Sequence, residues 1–183
     1  MREIILPETK PALEWVNGRA LQKVSPRRKH ALAQGRFYAA LDSWAQTNDC
    51  GMVGTEWEFR VTPPGEVRRP LVPDVAYLSY ARLPHDVLEE TDYPLISPDA
   101  VVEILSPGDR VRDVEEKIRV YLAAGSLVVF LVDTDARTVT VRDGANLIVF
   151  SFDDLVTHAS LPGFVMRTRC LFEARKPNAK RAD

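Results

Sequence analysis

The sequence predicts an α/β fold built on a mixed central β-sheet flanked by helices. Three observations carry this. Ala100–Leu105 and Leu127–Val132 are almost unbroken apolar runs, the mark of strands buried on both faces. Between them, Val111–Ala124 has the apolar spacing of an amphipathic helix. Val53–Val61 instead alternates apolar and polar residues, as a half-buried strand does.

The elements follow in chain order. Leu13–Val16 and Arg19–Val24 flank Asn17-Gly18, a strong hairpin signal. Ser25-Pro26 reads as an N-cap followed by proline at the first helical position. The helix it opens is expected to turn Leu32, Phe37, Leu41 and Trp44 inward and to end near Gln46. Val53–Val61 would place Trp57, Phe59 and Val61 on one face, and Glu56, Glu58 and Arg60 on a solvated one. Pro63-Pro64-Gly65 turns the chain into a strand over Leu71–Ser79, which carries Asp74. A long, proline-marked loop from Arg82 to Pro98 precedes Ala100–Leu105. Ser106-Pro107-Gly108-Asp109 is a turn, and Gly125 stops the helix that follows. Thr138–Arg142 and Leu147–Phe152 form a final hairpin through Asp143-Gly144.

A chain of 183 residues suits one domain, assigned to 1–175, with a polar tail at 176–183. The net charge of -2 argues against electrostatic coating of nucleic acid. Lys23, Arg27, Arg28, Lys29, His30 and Arg36 crowd one segment, and Arg175, Lys176, Lys180 and Arg181 lie near the end; a solvated surface is favoured for both groups. No apolar stretch has membrane-span length and no secretory leader is evident, so a cytoplasmic setting without membrane contact is expected. Cys50 and Cys170 form no motif and read as buried, inert thiols.

One residue breaks the pattern. Glu103 lies inside the apolar run Ala100–Leu105, where an unpaired charge is costly enough that it protonates, pairs or binds metal. Pro73-Asp74-Val75 upstream and Lys117 downstream offer an acid–acid–lysine set. On the helix, Val111, Val114, Ile118, Leu122 and Gly125 define the expected buried face, Val120 and Glu116 point to solvent, and Lys117 lies at the boundary. Two neighbouring carboxylates repel unless a cation lies between them, and hard oxygens suit Mg²⁺. The competing reading is a Glu103–Lys117 ion pair, or a Lys117–Asp113 pair on the helix. Among other residues, His30 is assigned a capping or surface role. Glu14 and Gln34 are possible supporting groups that nothing in the sequence orients. Ser106 is a turn residue, and Trp15, Trp44 and Trp57 belong to the core.

The order of helices and strands, with Pro-Asp and then Glu on successive strands, resembles the PD-(D/E)XK restriction-endonuclease-like fold. More closely, Pro73-Asp74-Val75, Val101–Pro107, Lys117 with Tyr121 and Ala124-Gly125, and Phe130–Asp133 resemble the Uma-type family of bacterial restriction-endonuclease candidates. Glu14–Gly18 and Ser25-Pro26 to His30 are similar as well, so the likeness covers roughly residues 10 to 155. The resemblance implies Asp74 and Glu103 as metal ligands, Lys117 as the catalytic lysine, Mg²⁺ (or Mn²⁺) as cofactor and DNA as substrate. The general motif has lysine two residues after the second acid, where this chain has Leu105. A non-catalytic nucleic-acid- or protein-binding module on the same fold is the alternative. A homodimer using part of residues 138–172 is expected, because that segment has more apolar residues than a decorating hairpin needs.

Overall fold

A computed structural model of the chain describes residues 2–144 and 146–173. The tail assigned to 176–183, with its basic residues, lies outside the described residues. Strands β1 (Leu13–Val16) and β2 (Arg19–Gln22) form the first hairpin. Asn17 and Gly18 both have positive φ, 49° and 74°, as a two-residue hairpin turn requires. Helix α1 spans Arg28–Thr47. It starts two residues later than a Ser25 cap would place it, with Arg27 in the cap position. Its buried face is His30, Ala33, Phe37, Leu41 and Ala45; Leu32 and Trp44 lie on the flanks.

The expected strand Val53–Val61 is two strands. β3 (Gly51–Thr55) ends where Glu56 adopts φ 51°, and β4 (Phe59–Val61) leaves the sheet to pair with β5 (Arg69–Leu71). Period-2 alternation continues through such a break and cannot reveal it. Likewise, Leu71–Ser79 divides at Pro73 into the end of β5 and β6 (Val75–Ser79). The loop Arg82–Pro98 contains a short helix, α2 (His85–Glu89). β7 (Ala100–Ile104), α3 (Val111–Ala123) and β8 (Val128–Asp133) follow as predicted. The hairpin β9 (Thr138–Arg142) and β10 (Leu147–Ser151) is also found. The short β11 (Leu155–Val156) and β12 (Met166–Arg167) and helix α4 (Arg169–Phe172) complete the described chain.

The central sheet has six strands in the order β10-β9-β8-β7-β6-β3. β7 and β8 are parallel, joined by α3, and every other neighbouring pair is antiparallel. Side-chain alternation divides the interior into two layers. Ala100, Val102, Ile104, Phe130 and Tyr77 meet Phe37 and Leu41 of α1 on one face. Val101, Val129, Ala76 and Leu78 meet Ile118 and Tyr121 of α3 on the other, together with Val16 of the first hairpin. Gly51 lets β3 approach its neighbour: a Cβ there would lie 2.4 Å from the Leu78 carbonyl oxygen. Among the described residues, no helix is long and apolar enough to cross a membrane.

Candidate active site

Strand alternation decides where the two acids point. Glu103 shares the parity of Val101, and Asp74 that of Ala76, so both face α3 and the first hairpin. The last register pair between β6 and β7 is Val75↔Val102. One step further along, Asp74 and Glu103 stand opposite one another, a position at which side chains are neighbours. They line one cavity of about 300 Å³ together with Glu14, Lys23, His30 and Lys117. The structure thus brings Asp74, Glu103 and Lys117 together.

The α3 phase differs from the sequence-based expectation. The buried side chains are Asp113, Lys117, Ile118, Val120 and Tyr121, while Val111 is 79% exposed. Lys117 therefore lies between Asp113 and Tyr121 in the middle of the buried arc, not at its edge. Tertiary docking shifted the arc: Asn17 and Arg19 of the first hairpin bind Asp113 at 2.7 and 2.6 Å, covering that side of the helix. With Asp113 so occupied, it is not the partner of Lys117.

Two acid–lysine–acid triads result. In the first, Lys117 Nζ donates to Glu103 Oε2 at 2.6 Å and to Glu14 Oε2 at 3.0 Å. In the second, Lys23 Nζ lies 2.8 Å from Asp74 Oδ1 and 3.1 Å from Glu56 Oε2. One residue links them: the Val72 N–H donates to Glu14 Oε1 at 2.8 Å, and the Val72 carbonyl accepts from Lys23 at 2.7 Å. Asp74 Oδ2 accepts the N–H of Ile104 at 2.7 Å, and His30 Nε2 lies 3.3 Å away. Gln34 Nε2 donates to the Asp74 carbonyl and to Glu56 Oε1, at 2.9 and 3.0 Å.

Several of these residues differ from their sequence-based assignments. Lys23 and His30 are buried in the site rather than part of a solvated basic cluster. Glu56 leaves the assigned strand face and joins Lys23. Glu14 and Gln34 become oriented through contacts with distant segments, and only the long-range fold supplies those. Cys170 is exposed and Cys50 half-buried, so neither is a fully buried thiol. Trp15, Trp44 and Trp57 are half-buried.

Electrostatics follow from four carboxylates facing two ammoniums, an excess of acid to which Glu103 and His30 respond by holding protons more tightly. Burial pushes the Glu103 carboxyl up to about 7; Lys117 opposes this, but its charge is shared with Glu14, and Glu14 and Asp74 repel a third anion. Burial also works against the charge of Lys117, yet Glu103 and Glu14 hold its amine up at about 12. Asp74 goes the other way: burial is outweighed by its bond with His30 and by the charges of Lys23 and Lys117, so its carboxyl is held well below the usual range. His30 is raised, because Asp74 more than offsets the burial of the imidazole.

The donor set fits a hard divalent cation. Glu103 and Asp74 present carboxylate oxygens to one cavity in which acids outnumber ammoniums, and the Tyr121 hydroxyl interacts with Glu103. Among the described residues no group of three or more His, Cys, Asp or Glu converges on one point. Mg²⁺, however, is commonly held by one or two carboxylates, with water and phosphate oxygens completing its shell.

A mixed sheet with an acid–lysine cluster at the ends of its central strands defines a nuclease-type α/β protein. The family model Uma2, described as "Putative restriction endonuclease", matches residues 3–169, and the chain belongs to this family. The chain is also similar to a solved structure described as a putative nuclease belonging to DUF820 from Anabaena variabilis ATCC 29413. The two are 28% identical, over 91% of this chain and 93% of that one, with a TM-score of 0.79. No curated protein matches the chain.

Proposed function

We propose that this protein is a divalent-metal-dependent endonuclease hydrolysing DNA phosphodiester bonds, with Asp74 and Glu103 holding Mg²⁺ and Lys117 as the catalytic lysine. The carrying observation is that Asp74, Glu103 and Lys117, from three separate segments, face one cavity in which carboxylates outnumber ammoniums. When bound, Mg²⁺ supplies Lewis-acid polarisation of the phosphate and lowers the pKa of water. The chain's own groups do the rest. Ile104 N–H and His30 fix Asp74. Glu14 and Glu103 take two of the three Lys117 N–H groups, and the third is left for a water or a phosphate oxygen. Arg110 at the cavity wall offers a cation to a phosphate oxygen, whereas Arg19 is paired with Asp113.

A second copy of the chain suits double-strand cleavage. The edge strand β10 supports such an assembly, since Leu147, Ile148 and Val149 are each at least half exposed. The test of the activity is cleavage of supercoiled, linear and single-stranded DNA in Mg²⁺, in Mn²⁺ and in chelator, beside Asp74→Ala. Metal-dependent nicking or cutting that Asp74→Ala abolishes is expected. Cleavage that persists unchanged in Asp74→Ala overturns the assignment, and no cleavage of any substrate favours a binding module on the same fold.

A further inference from the structure

The two lysines of the site are used differently. Lys117 is held by two carboxylates, whereas Lys23 is surrounded by two carboxylates and a backbone carbonyl. Its Nζ lies 2.7 Å from the Val72 carbonyl oxygen, 2.8 Å from Asp74 Oδ1 and 3.1 Å from Glu56 Oε2. It donates hydrogen bonds to Val72 and Asp74 and forms an ion pair with Glu56, so three oxygens surround the ammonium. The Lys23 side chain is 11% exposed, so this cation is largely withdrawn from water.

Two carboxylates and a backbone carbonyl are also the hard-oxygen set that Mg²⁺, Mn²⁺ and Ca²⁺ select. The walls of this set are held independently of Lys23. Gln34 fixes both Glu56 Oε1 and the Asp74 carbonyl. The Glu56 N–H points at the same Asp74 carbonyl at 3.4 Å, from a left-handed conformation with φ 51°. Glu14 holds the Val72 N–H from the far side. Asp74 has about four acceptor positions. Lys23, Ile104 N–H and His30 use three of them, which leaves about one facing Glu103.

We propose that Lys23 is an internal, tethered cation filling an oxygen cage made by Val72, Asp74 and Glu56, so that the site admits a single divalent ion, between Asp74 and Glu103. The count of one rests on the function proposed above; the cage stands on its own geometry. A second divalent ion in the cage would have to take the same Val72, Asp74 and Glu56 oxygens that already surround Lys23 Nζ. Lysine in this place gives the site a permanent positive charge that no chelator removes.

The experiment counts Mn²⁺ ions bound per chain, by electron paramagnetic resonance of free Mn²⁺ during titration. It compares wild type, Lys23→Met, Lys23→Arg and the double variant Lys23→Met/Glu56→Gln. The expected counts are one for wild type and Lys23→Arg, two for Lys23→Met, and one again for the double variant. Two ions in wild type, or no gain in Lys23→Met, overturns the proposal. If wild type binds none and Lys23→Met binds one, the cage stands and the metal-holding role of Asp74 and Glu103 falls. Because Lys23→Met leaves Asp74 and Glu56 uncompensated, a melting experiment covers poor folding. Lys23→Ala should gain melting temperature from methylammonium or Mn²⁺, and more than wild type does. A variant that neither cation stabilises counts against the cage.

Discussion

Replacing Glu103 by glutamine should stabilise the metal-free protein above neutral pH. Burial raises the Glu103 carboxyl from 4.5 to about 7, a net displacement that already includes the attraction of Lys117. At 1.36 kcal/mol per pKa unit, holding this group ionised above pH 7 costs folding about 3 kcal/mol. Glutamine removes the charge and can still accept from Lys117, which keeps Glu14 as a charged partner. Its buried amide N–H groups replace a carboxylate oxygen that interacts with the Tyr121 hydroxyl, and leaving one of them unsatisfied costs about 1–2 kcal/mol. The net gain is about 1–2 kcal/mol, or about 3–6 °C for a domain of this size. The sign of the pH dependence follows from linkage. The folded protein binds this proton more tightly than the unfolded chain, so wild-type stability is fullest below about pH 4.5 and falls as pH rises towards 7. Glu103→Gln should therefore be less stable than wild type by about 1–2 kcal/mol at pH 4.5, where only the amide cost remains, and more stable at pH 8. Thermal melts in chelator across that range provide the measurement. Excess Mg²⁺ should reverse the order at pH 8, because only wild type keeps both carboxylates for the ion. A structural ion pair gives the opposite result: a loss of about 3 kcal/mol at pH 8 in chelator, from an orphaned ammonium.

Two further outcomes are expected. Metal binding should release a proton near neutral pH, because the ion requires Glu103 ionised while burial keeps it partly protonated; calorimetry of Mn²⁺ binding at pH 6.5 in buffers of different ionisation enthalpy should show this, and identical heats in both buffers would contradict it. Wild type should be a dimer by light scattering at micromolar concentration and Val149→Lys a monomer with unchanged melting; a wild-type monomer mass with and without Mg²⁺ would exclude the β10 edge as a self-association surface.

The parts of the site that could be read from the sequence are those where a local rule is broken. Glu103 is conspicuous because an apolar run has no use for a carboxylate, and Asn17-Gly18 because few dipeptides accept positive φ twice. Lys23 and Glu56 break no local rule. Each belongs to a segment whose pattern has a sound solvated explanation, and each becomes a site residue only through chain reversals that bring residue 23 to residues 56 and 74. The same holds for Val120 and Val111, whose burial depends on which side of α3 the first hairpin covers. Glu103 was thus visible as an anomaly, while the residues that support it looked ordinary. Glu14 can hold Lys117 from a hairpin about a hundred positions away because the Val72 backbone, at the entrance to β6, joins that hairpin to the strand carrying Asp74. The unit that joins the two triads is the backbone of Val72, and it has no sequence signature because a backbone N–H and carbonyl belong to every residue but proline.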